Sequence, residues 1–278
     1  MSATTQGVGR LLIWEEFAVG INTSVAVSLG YWDAEGQWRR YGNSYSEQEW
    51  RTELWGLFAL HRRLSSYLQI PFVVGHRESP QLEGLGVGAG DIQAGVRYEL
   101  LEVGEYDELP AVALIAGVSA PVGTPVQSAD ESLGADTTGR GAWVLTLGTS
   151  LEKTVLPWFA RLNIGASLPL PFKRDDLEVY QWFGPGVQCG AMGGVEVTQG
   201  VVVSLFARMS WEADYQLDGQ TIANSARTDV SAGTTLSWRL SPHWTLQSSV
   251  STGFFVDGLG DNQPGRVVTN LGMRYGYF

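Results

Sequence analysis

The stretch GRVVTNLGMRYGYF, Gly265 to Phe278, decides how the rest of the chain is read. Val267, Thr269, Leu271, Met273, Tyr275 and Tyr277 take alternate positions, with Arg266, Asn270, Gly272, Arg274 and Gly276 between them. Side chains on a strand alternate faces, so this segment forms a strand with one apolar and one polar side. A soluble sandwich also contains such strands. The choice between the two rests on how far the pattern extends.

It extends through nearly the whole chain. From Phe17, the positions Val19, Ile21, Thr23, Val25, Val27, Leu29 and Tyr31 alternate with small or polar residues, and Trp50, Thr52, Leu54, Gly56, Phe58 and Leu60 do the same. A tight HRRL turn (His61 to Leu64) leads into a third strand, and Glu78 to Gly88 reads as a loop before Asp91 to Glu102 alternates again. Further strands are expected near 110–122, 139–152, 157–172, 182–198, 201–215, 226–240, 243–256 and 265–278. The total is about twelve, an even number, as in single-chain outer-membrane barrels. Connections after odd strands are long and rich in Gly, Asp and Pro, as in Thr124 to Thr138, and most of those after even strands are short, as at Gln199-Gly200 and Ser241 to His243. Long loops on one rim and tight turns on the other are the asymmetry of that architecture.

The two faces differ in charge. Arg51, Glu53, Asp91, Arg97, Glu99, Glu152, Arg161, Glu196, Arg208, Glu212, Asp229, Arg239, Arg266 and Arg274 share one face, too many for a dry core, while the opposite face is almost free of charge. Tyr31, Trp50, Trp143, Phe172, Phe183, Trp211 and Phe254 lie toward the long loops; Phe17, Phe58, Tyr98, Trp158, Trp238, Trp244, Tyr275 and Tyr277 lie toward the short turns. They read as two interfacial girdles. The expected fold is therefore all-β: a closed antiparallel up-and-down transmembrane β-barrel over 17–278, with long extracellular loops and short periplasmic turns. Residues 1–16 are expected to form an N-terminal periplasmic extension whose LLIWEE (Leu11 to Glu16) is amphipathic enough to enter the lumen as a plug.

Composition agrees. Only 17% of the 278 residues are charged, 11% are aromatic and 35 are glycine, yet no run approaches the ~18 apolar residues of a spanning helix. A net charge of -11 argues against a nucleic-acid partner. The single Cys189 excludes an internal disulfide and falls on the apolar face, where it acts as a small filler. MSATTQGVGR contains no secretory signal, so the barrel reading expects a leader ahead of Met1 in the gene product.

Two resemblances add to this reading. Asn270, Gly272, Tyr275 and Tyr277, with Phe278 ending the strand, resemble the C-terminal assembly signal of bacterial outer-membrane barrels. That resemblance implies the barrel-assembly machinery as a partner and outer-membrane lipid and lipopolysaccharide as surroundings. GLGVGAGDIQAGVRYELL (Gly84 to Leu101) and LPAVALIAGVSAPVG (Leu109 to Gly123) resemble a hairpin of outer-membrane transporters of the phenol-degradation meta-pathway family, with Gly88, Gly90, Asp91, Pro110, Pro121 and Gly123 at the matching positions. This second resemblance implies uptake of small, often aromatic, compounds.

Catalytic sets are poor. His76, Ser79 and Asp91 are the one imaginable Ser-His-acid combination, and no GxSxG elbow is present, so no enzyme is expected. Asp175, Asp176 and Glu178, or Asp130, Glu131 and Asp136, could hold a cation, but neither set has Ca-loop spacing; solvated acidic loops are the simpler reading, and no metal is expected. No cofactor motif occurs. The lumen is the informative region. Its expected lining is Arg51, Glu53, Asp91, Arg97, Glu99, Arg161, Glu196, Arg208, Glu212, Asp229, Arg239 and Arg274, with inward glycines making room for a bore. The expected function is a narrow passive channel of the bacterial outer membrane for small molecules, apolar or aromatic ones among them. The alternative is a scaffold barrel that docks partners in a surface, secretion, adhesion or motility assembly.

Overall fold

The alternation resolves into a closed barrel of 12 antiparallel strands. The computed structural model describes residues 11, 15–42, 44–105, 108–174 and 178–278. The strands are β1 (Phe17–Trp32), β2 (Ser46–His61), β3 (Leu64–Glu78), β4 in two segments (Glu83–Ala89 and Ile92–Leu101), β5 (Ala111–Ala120) and β6 (Val144–Val155). They continue as β7 (Trp158–Pro169), β8 (Gly186–Thr198), β9 (Val201–Glu212), β10 (Arg227–Arg239), β11 (Trp244–Gly253) and β12 (Gln263–Tyr277). Each pairs with its neighbours in sequence, and β12 returns to β1 with Tyr277 opposite Phe17. Closure leaves no ladder edge, which is the only way a sheet can satisfy its backbone in hydrocarbon.

The register fixes the faces. Ile21, Leu54 and Ile70 form one outward row across β1 to β3; Leu205 and Thr234 are partners across β9 and β10. Large apolar side chains stand bare on this surface, among them Leu147 at 68% exposure and Leu205 at 65%. Water would penalise a continuous apolar wall of this kind, and lipid does not. At the short-turn rim Phe17 stacks on Tyr277 at 5.1 Å and Trp244 meets Tyr275 at 4.9 Å, an aromatic belt at the expected level.

Two expectations are corrected. The segment Glu78 to Gly88 is not a loop: β3 and the upper segment of β4 pair from Phe72↔Ala89 to Glu78↔Glu83, closed by a tight turn between Ser79 and Leu82. The alternation of Leu85 and Val87 with Gly84, Gly86 and Gly88 was present but inconspicuous, because one face carries no side chains. The break at Gly90-Asp91 falls where β3 offers Pro71, which has no N–H to give; Gly90 N donates to Pro71 O at 2.8 Å instead. Phe172 and Phe183 are not girdle residues either. They stack on each other at 5.6 Å in the 170–185 loop, which joins the 213–226 loop in a second sheet of Phe172–Arg174, Val179–Trp182, Gln216–Leu217 and Gln220–Thr221.

The register predicts the response to a charge. Leu236 of β10 faces outward at 45% exposure, and its neighbour Ser237 faces the lumen. Leu236→Arg should lower folding stability by about 2–4 kcal/mol, and Ser237→Arg by far less, read by urea titration in lipid vesicles. Reversed costs would mean a register one residue out.

Candidate functional site

Inside the barrel, the register places Arg51, Glu53, Arg97, Glu99, Arg161, Glu196, Arg208, Glu212, Asp229, Arg239 and Arg274 on the inner face. They do not converge on one point. Most settle with near neighbours: Arg97 on Glu99 at 2.6 Å, Arg161 on Glu152 at 2.6 Å and Arg51 on Glu49 at 3.2 Å. Arg266 reaches Glu47 at 2.9 Å and Glu49 at 3.6 Å, and Arg208 donates to Ser231 Oγ at 2.7 Å with Asp229 at 4.0 Å. Toward the short-turn rim, Glu196 accepts the Gly200 N–H at 2.8 Å, and Arg239 is exposed beside the same turn.

Asp91 and Glu212 have a different task. The loop 121–143 folds inward against the upper hairpin of β3 and β4. A Cβ on Gly75 or Gly84 would strike the carbonyl of Ala135 or Ser132, one on Gly86 would strike the Asp136 backbone, and one on Gly88 would crowd the Thr138 side chain. The alternating glycines of GLGVGAGD are thus the bare surface on which this loop lies. Asp91 holds the loop at both ends, accepting Gly123 N at 3.1 Å and Arg140 N at 2.7 Å. From there the Arg140 guanidinium extends to Glu212 of β9, five strands round the barrel, and lies over the Phe183 ring at 4.4 Å. Arg140 therefore links two facing walls at the long-loop end. No spacing signal marks it in the sequence. Glu47 and Glu49 were legible, since they continue the alternation of Arg51 and Glu53 upward.

The opposite end is narrowed from below. Leu11, like Tyr67, packs against the cluster of Ala18, Trp55 and Leu57, and Glu15, only 5% exposed, pairs with Arg274 and sits over Gly276. Residues 12–14 of LLIWEE lie outside the described residues.

The idea that inward glycines simply widen the bore is corrected. Trp55 lies on Gly20, the Tyr67 hydroxyl on Gly95 and Gly117, Phe159 on Gly194 and Phe206 on Gly233. Each glycine is a seat for an inward ring from a nearby position, so the space is used by the wall itself. A similar arrangement closes part of the mouth: Trp32 (1% exposed), Trp38 and Phe255 cluster over Gly30, Gly253, Gly260 and Gly265. Part of what remains open lies along β11. Thr245, Ser249 and Ser251 of β11 are half-buried and Gln247 is exposed, whereas Leu57, Ala113 and Ser150 on β2, β5 and β6 are 2% exposed or less.

The remaining candidates do not assemble. His76 faces outward and pairs with Glu83 at 3.1 Å, Ser79 bonds within its own turn, and Asp91 is engaged by the loop. Asp175 and Asp176 lie outside the described residues. Asp136 turns back to accept Asp130 N at 3.0 Å and Glu131 N at 3.2 Å; among the described residues no cluster has the donors for a metal ion. In β12, Asn270 and Gly272 face inward and Tyr275 and Tyr277 outward, while Phe278 meets the His243 ring at 5.1 Å. Cys189 is exposed on the outer wall.

No family model matches the sequence, and no curated protein does. Solved structures do match in fold. An outer membrane channel from Pseudomonas putida F1 superposes with a TM-score of 0.77 at 14% identity, covering 97% of each chain. The translocator domain of the autotransporter NalP from Neisseria meningitidis gives 0.58 at 9% identity, over 99% of this chain and 92% of that one. The NanC porin gives 0.50 at 8% identity, over 92% and 98%. At these identities the likeness establishes an outer-membrane barrel fold.

Two outcomes follow for the loop. Arg140→Ala should free it from the β9 wall, giving larger and more frequent current fluctuations in planar bilayers and faster protease cleavage within 121–143. The second concerns acid. The Asp136 carboxyl is held below its ordinary range, chiefly by the Asp130 N–H and further by that of Glu131, against partial desolvation. A depressed pKa gives stability that is present above the ordinary value, about 3.9, and is lost as pH falls through the folded one. Protection of the Asp130 and Glu131 amides, relative to their intrinsic exchange rates, should therefore fall below about pH 4, and Asp136→Asn should flatten that pH dependence.

Proposed function

We propose that this barrel is a narrow passive channel for small molecules in the bacterial outer membrane. The observation that carries the reading is that a polar inner strip along β11 stays open to water, although much of the remaining wall is packed by its own rings and ion pairs. A scaffold barrel would have no use for an open polar strip. The porin-type and channel-type neighbours support the same reading, and the hairpin resemblance to the phenol-degradation meta-pathway transporters belongs with it.

Three parts act in series. The Arg140–Glu212 link and the Trp32–Trp38–Phe255 cluster narrow the long-loop mouth from two sides. The polar strip supplies the path. Leu11 and Glu15 narrow the short-turn end. Most inner charges pair locally with the opposite sign, so no ring of one sign exists to impose strong ion selectivity.

Purified protein in planar bilayers should give small, steady openings with weak ion selectivity. Deleting residues 1–16 should raise the conductance while the folded and boiled forms still migrate differently on gels. Silence of both forms, with normal heat modifiability, would overturn the channel reading.

A further inference from the structure

The channel reading above leaves the solute open, and the inference drawn here rests on it. One row of the inner wall runs in unbroken register across five strands: Ser204 of β9 faces Thr235 of β10, Thr235 faces Ser249 of β11, Ser249 faces Asn270 of β12, and Asn270 faces Ser24 of β1. Every member is a hydroxyl or an amide. The row continues on β2 at Arg51, whose guanidinium is already held by Glu49.

Most of these groups differ from the charged side chains of the lumen in making no side-chain hydrogen bond among the described residues. The charged side chains nearby are engaged: Arg97 by Glu99, Arg161 by Glu152, Arg266 by Glu47, Arg208 by Ser231. By contrast Ser249 and Asn270 make no side-chain hydrogen bond among the described residues, and neither do Ser204 and Thr235, although these two are only 4% and 5% exposed. Neither hydroxyl oxygen is fully enclosed, so water or a solute in the lumen can supply the partner that so deep a group favours. Of the row, only Ser24 is used, donating to the Arg51 carbonyl at 3.5 Å.

We propose that this half-belt is the solute-selecting site of the channel and that it takes small, uncharged, hydroxyl-bearing solutes. A hydroxyl both donates and accepts, and so does a carboxamide, so a neutral polyol crossing the belt exchanges its hydrogen bonds with water for equivalent ones. A charged solute gains less. It must shed hydration, and the counter-charges that would compensate are bound to one another.

The test is liposome swelling with two solutes of matched size, glucose and its acid glucuronate, on wild type and on the triple variant Ser204→Ala, Thr235→Val and Ser249→Ala, which keeps the bore nearly unchanged. Ion conductance is recorded on the same preparations. Wild type should admit glucose faster than glucuronate, and in the variant the glucose rate should fall roughly two- to tenfold, the factor for losing one or two net hydrogen bonds, with ion conductance retained. Conductance with equal entry of both solutes, or an unchanged glucose rate in the variant, would overturn the belt while the channel stands. A wild type that passes neither ions nor sugar would overturn both. Heat-modifiable migration confirms that the variant is folded.

Discussion

An N–H or C=O group inside a bilayer has no water to turn to, and the rest of this structure depends on that constraint. It forces the sheet to close, as β12 does on β1 and β9 on β10, and closure commits alternate side chains to lipid and lumen along every strand. The apolar outer wall and the charged inner face are therefore two consequences of one backbone requirement. They are not separate adaptations. Even Pro71, which cannot donate to the ladder, is placed where β4 breaks and Gly90 supplies the bond in the other direction.

A ring of 12 strands creates a second problem, since its interior is wider than one layer of side chains fills. The chain fills it from its own walls. Inward rings such as Trp55, Tyr67, Phe159 and Phe206 lie flat against the barrel because glycines on neighbouring strands leave the space. The loop 121–143 occupies the upper hairpin by the same device, with its backbone against Gly75, Gly84 and Gly86. Glycine here supplies close packing, and the polar strip along β11 is part of what that packing leaves open.

The fold was legible from the sequence because period two survives wherever both faces carry side chains. It was obscured at Glu83–Ala89, where one face is glycine, and at Phe172 and Phe183, whose apolar character answers to each other and not to lipid. The inward face of Arg97 or Arg161 could be read from parity alone. Whether such a charge is free or engaged could not, because pairing depends on which strands adjoin and how they are staggered. Arg140 was least legible of all. It lies in a loop, far in sequence from Glu212, and only closure of the barrel brings the two walls within its reach.

That pairing bears on what the lumen can distinguish. An ion pair between adjacent strands, such as Arg161 with Glu152, or within one strand, such as Arg97 with Glu99, stiffens the wall and cancels its own field within a few ångströms. Removing one partner would strand the other in a place water reaches poorly, so these pairs are more valuable as structure than as binding groups. Selectivity then has to come from groups that are polar, reachable and uncommitted. On the inner face those include the hydroxyls and amides of β9 to β12, and such groups distinguish solutes by hydrogen-bonding pattern and size, since they carry no charge to distinguish them by.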